Sequence, residues 1–473
     1  MRNTKLFILL PDGVGLRNFA FTNFHKYAQE QGLDIVFWHS TPFNLTSLAY
    51  KEIIISHAKA HPFTNLLKIA QTRIELALSI KKSKDLVYNS YKFPFSYKGI
   101  KNILKNLYIN LIIFIYNSEK GLSKIREKIA QNERKTKLYL DSLNTLKAEN
   151  PAMVFCTNQR ITLAVAPILA AQDLGIPTAT VIYSWDNLPK ATKIVEADFY
   201  FVWSDYMKKE LTYYYPHIKE DRIIITGTPQ FESHYDVSLL RSKQEFFNQY
   251  GLDINKKYIC FSGDDVVSSP HDPVYLDDTA KAIRELNKNG YQLGIIFRRC
   301  PVDFSDRFDA VLERNKDVIT SIAPKWNKIS EGWDTILPTK DDLILQMNTI
   351  FHTELVVNLG SSMVFDYVAF GKPCAYFNYN VVNDLYIDWS SEKVYNFIHF
   401  RSMPNPMAVF WINGAHEIVN LIQQMLGDGR KKNLDIAQLW FEKINLYPAK
   451  DASKRIVDSI VTIINDFQSI KNE

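Results

Sequence analysis

The chain has 473 residues, of which 46% are hydrophobic and 23% are charged, and its formal net charge is +5. This length predicts two or three domains, and the composition is that of a globular protein with large cores, not of a disordered or fibrous chain. The four cysteines are scattered without a CxxC pair, which favours reduced thiols in the cytoplasm. No signal peptide is predicted, and no apolar stretch reaches the roughly 20 residues that a membrane-spanning helix needs.

The first part of the chain alternates apolar strand patterns with helical patterns. Residues 5–10 and 33–38 predict strands, and residues 19–31 predict the helix between them. The loop at 11–18, PDGVGLRN, contains two glycines but lacks the GxGxxG dinucleotide fingerprint. Further strands are predicted at 153–156, 178–183, 199–203 and 222–226, with helices at 161–174 and 204–214. This βαβ pattern predicts a Rossmann-like domain.

A helical and strongly basic stretch interrupts this pattern at about 65–149. Residues 79–149 carry 15 Lys and Arg against 6 Asp and Glu. Within them, residues 107–116 read LYINLIIFIY, and basic residues flank this run from 98 to 128. Two interpretations stay open: a helix packed in the domain with its Lys and Arg in water, and a helical protrusion that contacts an anionic membrane and reaches a lipid-linked acceptor. Nucleic acid is not expected as a partner, because no binding-module pattern accompanies these lysines.

The second part repeats the α/β pattern after a boundary predicted at residue 235. Strands are predicted at 258–262, 292–297 and 317–322, and helices at 277–289 and 340–351. The segment 354–378, ELVVNLGSSMVFDYVAFGKPCAYFN, predicts a strand, a Gly-Ser-Ser turn, a helix at 363–370, a Gly-Lys-Pro stop and another strand. The unpaired N–H groups at the start of that helix predict a site for an anion such as pyrophosphate.

The order of these elements resembles the donor-binding motif of GT-B glycosyltransferases, a superfamily that also includes nucleotide-sugar 2-epimerases and polyol-phosphate transferases. The sequence GTPQF at 227–231 is similar to the end of the N-terminal domain in these enzymes. The resemblance implies an α/β protein with two Rossmann-like domains facing a central cleft. These are an acceptor domain at 1–235 with the helical basic insertion, a nucleotide-donor domain at 236–430, and C-terminal helices at 431–473 that pack back towards the first domain. An ordinary buried βαβ unit is the alternative interpretation of the motif.

The resemblance also assigns donor-binding roles, with the diphosphate at the turn and the ribose on the acidic residue of the helix. The residues in question are Gly360, Ser361, Ser362 and Asp366. The acidic residue is more often Glu in this superfamily, so Asp366 is a mild departure. Arg298 and Arg299 follow the strand at 292–297, at the edge where open α/β sheets bind ligands, and planar guanidinium groups suit phosphate. A charged pair on the surface is the alternative for the two arginines.

Transfer to a hydroxyl group also needs a general base. Asp12, at the end of the first strand, is the first candidate, and Asp186, in the loop after the strand at 178–183, is the second. Each has a plain alternative as a turn or loop residue. The acceptor is expected to contact the first loop through Gly13, Gly15, Arg17 and Asn18. No metal is expected. The weaker candidates for a metal site are His57 with His61, and a loop containing Asp264, Asp265, His271 and Asp272.

These features predict a metal-independent glycosyltransferase that moves a sugar from a nucleotide-sugar donor to a glycan or lipid-linked hydroxyl acceptor in the synthesis of surface polysaccharide or glycolipid. No cofactor is expected beyond the nucleotide-sugar co-substrate. A CDP-polyol phosphotransferase, a nucleotide-sugar 2-epimerase and a non-catalytic sugar- or nucleotide-binding module are the alternatives. The expected location is the cytoplasm, with peripheral contact to the inner face of the membrane through residues 98–128.

Overall fold

The chain folds into two compact units, Met1–Pro229 with Ile444–Glu473, and Gln230–Lys443. The structure, a computed structural model, describes residues 4–328, 336–382, 386 and 389–472, without the side chains of 470–472. Each unit is built on a parallel β-sheet with helices in the connections between its strands. The predicted α/β class with two Rossmann-like domains is therefore confirmed.

The first unit contains a seven-stranded parallel sheet in the order β3-β2-β1-β4-β5-β6-β7. Its strands are β1 (Thr4–Leu10), β2 (Leu33–His39), β3 (Lys51–Ile54), β4 (Met153–Cys156), β5 (Thr178–Val181), β6 (Phe199–Val202) and β7 (Ile223–Ile225). Alternate residues of β1 lie in two different cores, Phe7 and Leu9 in one and Leu6 and Ile8 in the other. Burial on both faces explains why the strands read as continuous apolar runs.

Helices pack on both faces of this sheet. They are α1 (Gly15–Phe19), α2 (Phe24–Glu30), α3 (Thr64–Ser83), α4 (Ile100–Tyr116), α5 (Glu119–Glu133), α6 (Lys137–Glu149), α7 (Val165–Asp173), α8 (Asp205–Tyr214) and α17 (Ala452–Asn472). Helix α17 comes from the C-terminal part of the chain, and its Ile456 and Ile460 pack in the core that contains Leu6 and Ile8. Helices α3 to α6 form the predicted insertion between β3 and β4.

Two predictions in this unit are wrong in detail. The helix expected at 19–31 covers only Phe24–Glu30, because Phe19 ends the separate helix α1 and the chain turns at 20–23, where the Thr22 hydroxyl donates to the Asn18 carbonyl oxygen at 2.7 Å. Strand β3 was not predicted, because this edge strand is short and only partly buried. No helix in the described part of the chain is long and apolar enough to cross a membrane.

The second unit contains a six-stranded parallel sheet in the order β10-β9-β8-β13-β14-β15 and a separate antiparallel pair, β11 with β12. The strands are β8 (Lys257–Ser262), β9 (Leu293–Arg298), β10 (Ile319–Ser321), β11 (Asn327–Lys328), β12 (Ile336–Leu337), β13 (Thr353–Asn358), β14 (Cys374–Phe377) and β15 (Phe410–Ile412). The helices are α9 (Lys243–Tyr250), α10 (Asp272–Lys288), α11 (Asp309–Arg314), α12 (Lys340–His352), α13 (Met363–Val368), α14 (Ser391–Tyr395), α15 (Ile418–Leu426) and α16 (Lys431–Ile444).

The boundaries between the two units differ from the predicted domain boundaries at both places where the chain passes from one unit to the other. The first unit ends at Pro229, a few residues before the expected boundary at 235. The second unit continues to Lys443, so α16 belongs to it and only α17 packs on the first unit. The reason is the aromatic surface of α16, whose Trp440 ring lies 4.8 Å from the ring of Phe365 in α13. Trp440 also donates its indole N–H to the Ser402 hydroxyl at 2.8 Å.

Candidate functional site

Asp12 lies immediately after β1 and is held by the neighbouring strand. Its side chain is buried, and its Oδ2 accepts a hydrogen bond from Asn158 Nδ2 at 2.7 Å, while its Oδ1 accepts one from the backbone N–H of Val14 at 3.2 Å. Asn158 follows β4, which pairs directly with β1. Burial raises the pKa of Asp12 to about 6, although the bond from Asn158 works in the opposite direction. A carboxyl with this pKa can take and return a proton near neutral pH.

The charge of Arg160 lowers the pKa of this carboxyl, and other cationic groups act on the residues next to it. Burial, and secondarily the charge of Asp12, raise the pKa of the Tyr183 phenol, whereas Arg17 and Arg160 lower it. Lys68 of α3 donates to the carbonyl oxygen of Arg160, and burial lowers the pKa of this lysine to about 8. The carboxyl edge of the first sheet therefore combines one acid that titrates near neutrality with three cationic groups. Such a set suits an acceptor that carries both a hydroxyl group and a negative charge.

Three of these residues were missed in the sequence. Asn158 and Arg160 come shortly after β4, at the carboxyl end of a parallel strand. Ligands bind at such ends in open α/β sheets, so the argument that identified Asp12 could also have identified these two residues. Lys68 could not be found in this way, because it lies on α3 of the insertion and reaches Arg160 only through the tertiary fold.

Asp186 lies in the loop after β5 and is tied to its neighbours. It forms an ion pair with Lys190, and its Oδ1 accepts from Asn187 Nδ2 at 2.9 Å. Asn187 in turn accepts from Gln159 Nε2 at 3.0 Å, so the loops after β4 and β5 are joined. This network gives Asp186 a structural role, and a catalytic role for it remains a prediction.

The glycine-bearing loop has a packing requirement that the sequence did not show. A Cβ atom on Gly15 would lie 2.4 Å from Thr157 Oγ1, so the neighbouring strand end requires glycine at this position. Gly13 accepts the backbone N–H of Leu16 through its carbonyl oxygen at 3.2 Å. Asn18 is buried in α1, and Arg17 is partly exposed beside it. Contact between this loop and an acceptor therefore stays a prediction.

In the second unit, the Gly-Ser-Ser turn connects β13 to α13 as predicted. Gly360 has a φ of +66°, and a Cβ atom there would lie 3.1 Å from the Phe400 ring, so the turn requires glycine. Asn358 Oδ1 accepts from the backbone N–H of Ser361 at 2.9 Å, and Tyr376 donates its hydroxyl to the Ser361 carbonyl oxygen at 2.8 Å. Ser362 starts the helix without capping it through its side chain. The turn is thus rigidly held, while α13 is a short helix that ends at Val368 rather than at 370.

Asp366 has a partner that the sequence did not reveal. The carboxylate is 3% exposed, and its Oδ1 lies 2.8 Å from Nε2 of the completely buried His234. The other ring nitrogen of His234 lies 3.1 Å from the carbonyl oxygen of Phe231, within the segment that follows GTPQ. One oxygen of Asp366 is therefore engaged inside the unit, and a ribose would have to use the other. The ribose-binding role stays a prediction.

The two arginines at the end of β9 have different environments. Arg298 is buried, and its Nη2 donates to Asp342 Oδ2 at 2.8 Å; Asp342 also accepts from the Trp326 indole N–H at 2.7 Å. Arg298 Nη1 is buried and has no hydrogen-bond partner in the described part of the chain. Arg299 is more exposed and donates to the Ser305 carbonyl oxygen at 2.8 Å. Because the charge of Arg298 is already balanced by Asp342, a phosphate-binding role for the pair stays a prediction.

The candidate metal residues serve other purposes in this structure. His57 Nδ1 lies 2.9 Å from Asp141 Oδ2. Asp265 accepts the backbone N–H groups of the turn at 267 and 268, and Asp272 Oδ2 accepts that of Asp264 at 2.7 Å. Burial raises the pKa values of Asp264 and Asp272 to about 7. Within the described residues, no group of three ligating side chains has metal-binding geometry.

Comparison with known proteins connects this architecture to solved structures. No family model and no curated protein matches the sequence. The structure of MnaA from S. aureus, solved with UDP, matches with a TM-score of 0.53 and 13% identity over 98% of this chain and 97% of that one. A putative UDP-N-acetylglucosamine 2-epimerase from Listeria monocytogenes matches with a TM-score of 0.53 and 11% identity over 98% of both chains.

A glycosyltransferase from Rickettsia africae also matches, with a TM-score of 0.50 and 11% identity over 99% of both chains. These structures share the GT-B fold, so the suspected GT-B resemblance is confirmed for the fold. At such low identity the likeness concerns the fold alone.

Proposed function

We propose that this protein is a glycosyltransferase that moves a sugar from a nucleotide-sugar donor to a hydroxyl acceptor. The observation that carries the proposal is the buried Asp12 carboxyl at the carboxyl edge of the first sheet, with a pKa of about 6 and cationic neighbours. The GT-B fold supports the nucleotide-sugar part, since enzymes as different as a 2-epimerase and a glycosyltransferase share it with this chain.

The second unit would bind the donor. Apart from the N–H of Ser361, which already donates to Asn358, the Gly-Ser-Ser turn would present its backbone N–H groups and serine hydroxyls to the diphosphate. The other oxygen of Asp366 would accept from the ribose. Arg298 Nη1 is a buried donor without a partner in the described chain, and a phosphate oxygen would satisfy it. Hydrogen-bond donors and a guanidinium group can stabilise the negative charge of the leaving diphosphate, so this donor arrangement would need no metal ion.

The first unit would bind the acceptor and supply the base. Above pH 6 the Asp12 carboxylate would take the proton of the acceptor hydroxyl as that oxygen attacks the anomeric carbon. The bond from this carbon to the diphosphate breaks in the same reaction, and the nucleoside diphosphate leaves with the bonding electrons. Asn158 and the backbone N–H of Val14 fix the orientation of the carboxylate. Arg17, Arg160 and Lys68 would attract a phosphate group of the acceptor, which is the chemistry of a lipid-linked sugar phosphate. With such an acceptor, the product would enter the synthesis of a surface glycan or glycolipid.

Nucleotide-sugar 2-epimerisation is the second candidate, because 2-epimerases are among the structures with this fold. The two reactions differ in what they need. An epimerase converts its nucleotide sugar without an acceptor and exchanges the proton on carbon 2, whereas a transferase keeps that C–H bond intact.

The test is incubation of the protein with UDP-N-acetylglucosamine and other nucleotide sugars in D₂O, followed by NMR spectroscopy. The proposal predicts slow release of the nucleoside diphosphate and free sugar without deuterium at carbon 2. Formation of the 2-epimer with deuterium incorporation would establish the epimerase instead. If nucleotide sugars bind but neither reaction occurs with any acceptor, the protein is a binding module.

A further inference from the structure

Helix α4 (Ile100–Tyr116) exposes an apolar stripe along its whole length. Its residues recur at helical spacing on one face: Ile100, Ile103, Leu104, Leu107, Leu111, Phe114 and Ile115. Phe114 is 86% exposed, Leu107 60% and Leu111 53%. A contiguous stripe of this kind is unusual on the surface of a globular protein and marks a surface that binds something apolar.

The exposure does not come from a loosely attached helix. The opposite face buries Asn106, Ile109 and Ile112, and the two isoleucines lie in the main core of the first unit. Asn106 Nδ2 also donates to the Ser96 carbonyl oxygen at 2.8 Å. The rotation of α4 about its axis is thus fixed by packing, and the stripe faces away from the core.

The segment before α4 displays further aromatic surface and is fixed as well. Phe93 is 87% exposed and Tyr97 is 65% exposed. Arg73 of α3 donates to the Phe93 carbonyl oxygen at 2.6 Å, and its guanidinium group lies 3.7 Å from the centre of the Phe95 ring. Aromatic side chains beside an apolar helix face are typical of surfaces that enter the boundary between lipid head groups and acyl chains.

The charges around the stripe determine which partner fits it. Helix α4 contains no Asp or Glu, and residues 98–128 contain seven Lys and Arg against two Glu. Lys98, Lys101 and Lys105 are all exposed at the first part of the helix. Two copies of this face brought together would place these lysines against each other, which disfavours self-association. An anionic lipid surface complements both the apolar stripe and the basic border.

We propose that the exposed face of α4, with Phe93 and Tyr97, docks the protein on an anionic lipid membrane. This inference concerns a partner and does not depend on which reaction the protein catalyses. The structure also shows which residues of α4 can be replaced to test this. Ile112 is buried, so its replacement would disturb the core, whereas Leu107, Leu111 and Phe114 can be replaced at the surface.

The test is sedimentation of the full chain with vesicles of phosphatidylcholine alone or mixed with phosphatidylglycerol. The wild type should bind the mixed vesicles at low salt, and binding should weaken as salt is added. The variant Leu107→Gln/Leu111→Gln/Phe114→Gln should lose at least about tenfold in partitioning, and Lys98→Glu/Lys101→Glu/Lys105→Glu should lose a similar factor.

A matched control removes three exposed apolar side chains of the second unit, Val237→Gln/Ile254→Gln/Leu439→Gln, and should bind like the wild type. A second measurement uses single substitutions, which disturb the fold less than the triple variants. The variants Phe114→Cys and Leu439→Cys are each labelled with a polarity-sensitive dye. Only the dye at position 114 should report an apolar environment when mixed vesicles are added.

Several outcomes would overturn the proposal. The first is absence of wild-type binding to mixed vesicles, and the second is unchanged binding of the Gln variant. A third is a wild-type dimer that the Gln variant converts to a monomer, which would assign the face to a second copy. Equal dye responses at positions 114 and 439 would also contradict it.

Discussion

The buried pair of His234 and Asp366 gives the sharpest prediction about the second unit. From the ribose-binding role that the resemblance gives to Asp366, Asp366→Ala is expected to fold but to lose nucleotide affinity. The structure adds an expected loss of stability, because the two side chains are 0% and 3% exposed and their atoms lie 2.8 Å apart. Removing the carboxylate would leave His234 Nε2 buried without its partner, between the rings of Phe231 and Phe370 at 5.7 and 5.8 Å.

The expected cost follows from this burial. Leaving a buried hydrogen-bonding group unsatisfied costs about 1–3 kcal/mol, and breaking a buried charged pair costs about 3–5 kcal/mol. We therefore expect Asp366→Ala to lower the free energy of unfolding by at least about 1 kcal/mol, and by up to about 5 kcal/mol where the pair is charged. This is a substantial share of the typical stability of a domain.

Urea unfolding of Asp366→Ala, His234→Ala and the double variant measures the interaction directly. The sum of the two single losses in unfolding free energy should exceed the loss in the double variant by about 1–3 kcal/mol, because the two side chains contact each other. Additive losses would refute the pairing. Asp366→Asn keeps an oxygen for His234 Nε2 but removes the negative charge. It should therefore fold better than the alanine variant and still lose about 1.5–3 kcal/mol of nucleotide binding if the ribose uses this carboxylate.

Three further predictions concern the base, a buried acid and metal ions. Asp12→Asn should lower kcat by about 10²–10⁴ and abolish the fall in rate below pH 6; a retained acid limb in the pH profile would exclude Asp12 as the base. Burial raises the pKa of Glu75 from 4.5 to about 8, so its ionisation destabilises the fold as pH rises through that range. Glu75→Gln should therefore gain stability over the wild type between pH 5 and 9 in thermal unfolding, and a constant difference would contradict this. EDTA should leave the transfer rate unchanged, and activity restored by Mg²⁺ or Mn²⁺ would redirect attention to Asp264, Asp265 and Asp272.

The fold was predictable where local pattern and burial agree. The strands β4 and β14 were predicted residue for residue, because each is a short apolar run that is buried along its length. The helix predicted at 204–214 is also confirmed as α8, which Ser204 caps by accepting the backbone N–H of Met207 at 3.2 Å. The half-exposed edge strand β3 lacks such a pattern and was missed.

The site was predictable only in part, because its side-chain partners are far apart in sequence. Asp12 and the Gly-Ser-Ser turn follow from their positions at strand ends. The pairing of Asp366 with His234 and of Arg298 with Asp342 depends on tertiary packing, which no local pattern encodes. The apolar run of α4 shows the same limit: the sequence shows its composition, but only the packing of Ile109 and Ile112 shows which face remains exposed.

A thermal-shift panel of UDP, GDP, CDP, CMP and dTDP tests most directly whether this chain binds a nucleotide donor. A ligand that binds only the folded state stabilises it by about 2.7 kcal/mol at a concentration of 100 Kd. We predict that at least one nucleoside diphosphate raises the Tm of the wild type and does so less for Asp366→Asn. If none of the five nucleotides raises the Tm at millimolar concentration, the chain does not bind a nucleotide donor and the proposed function is wrong.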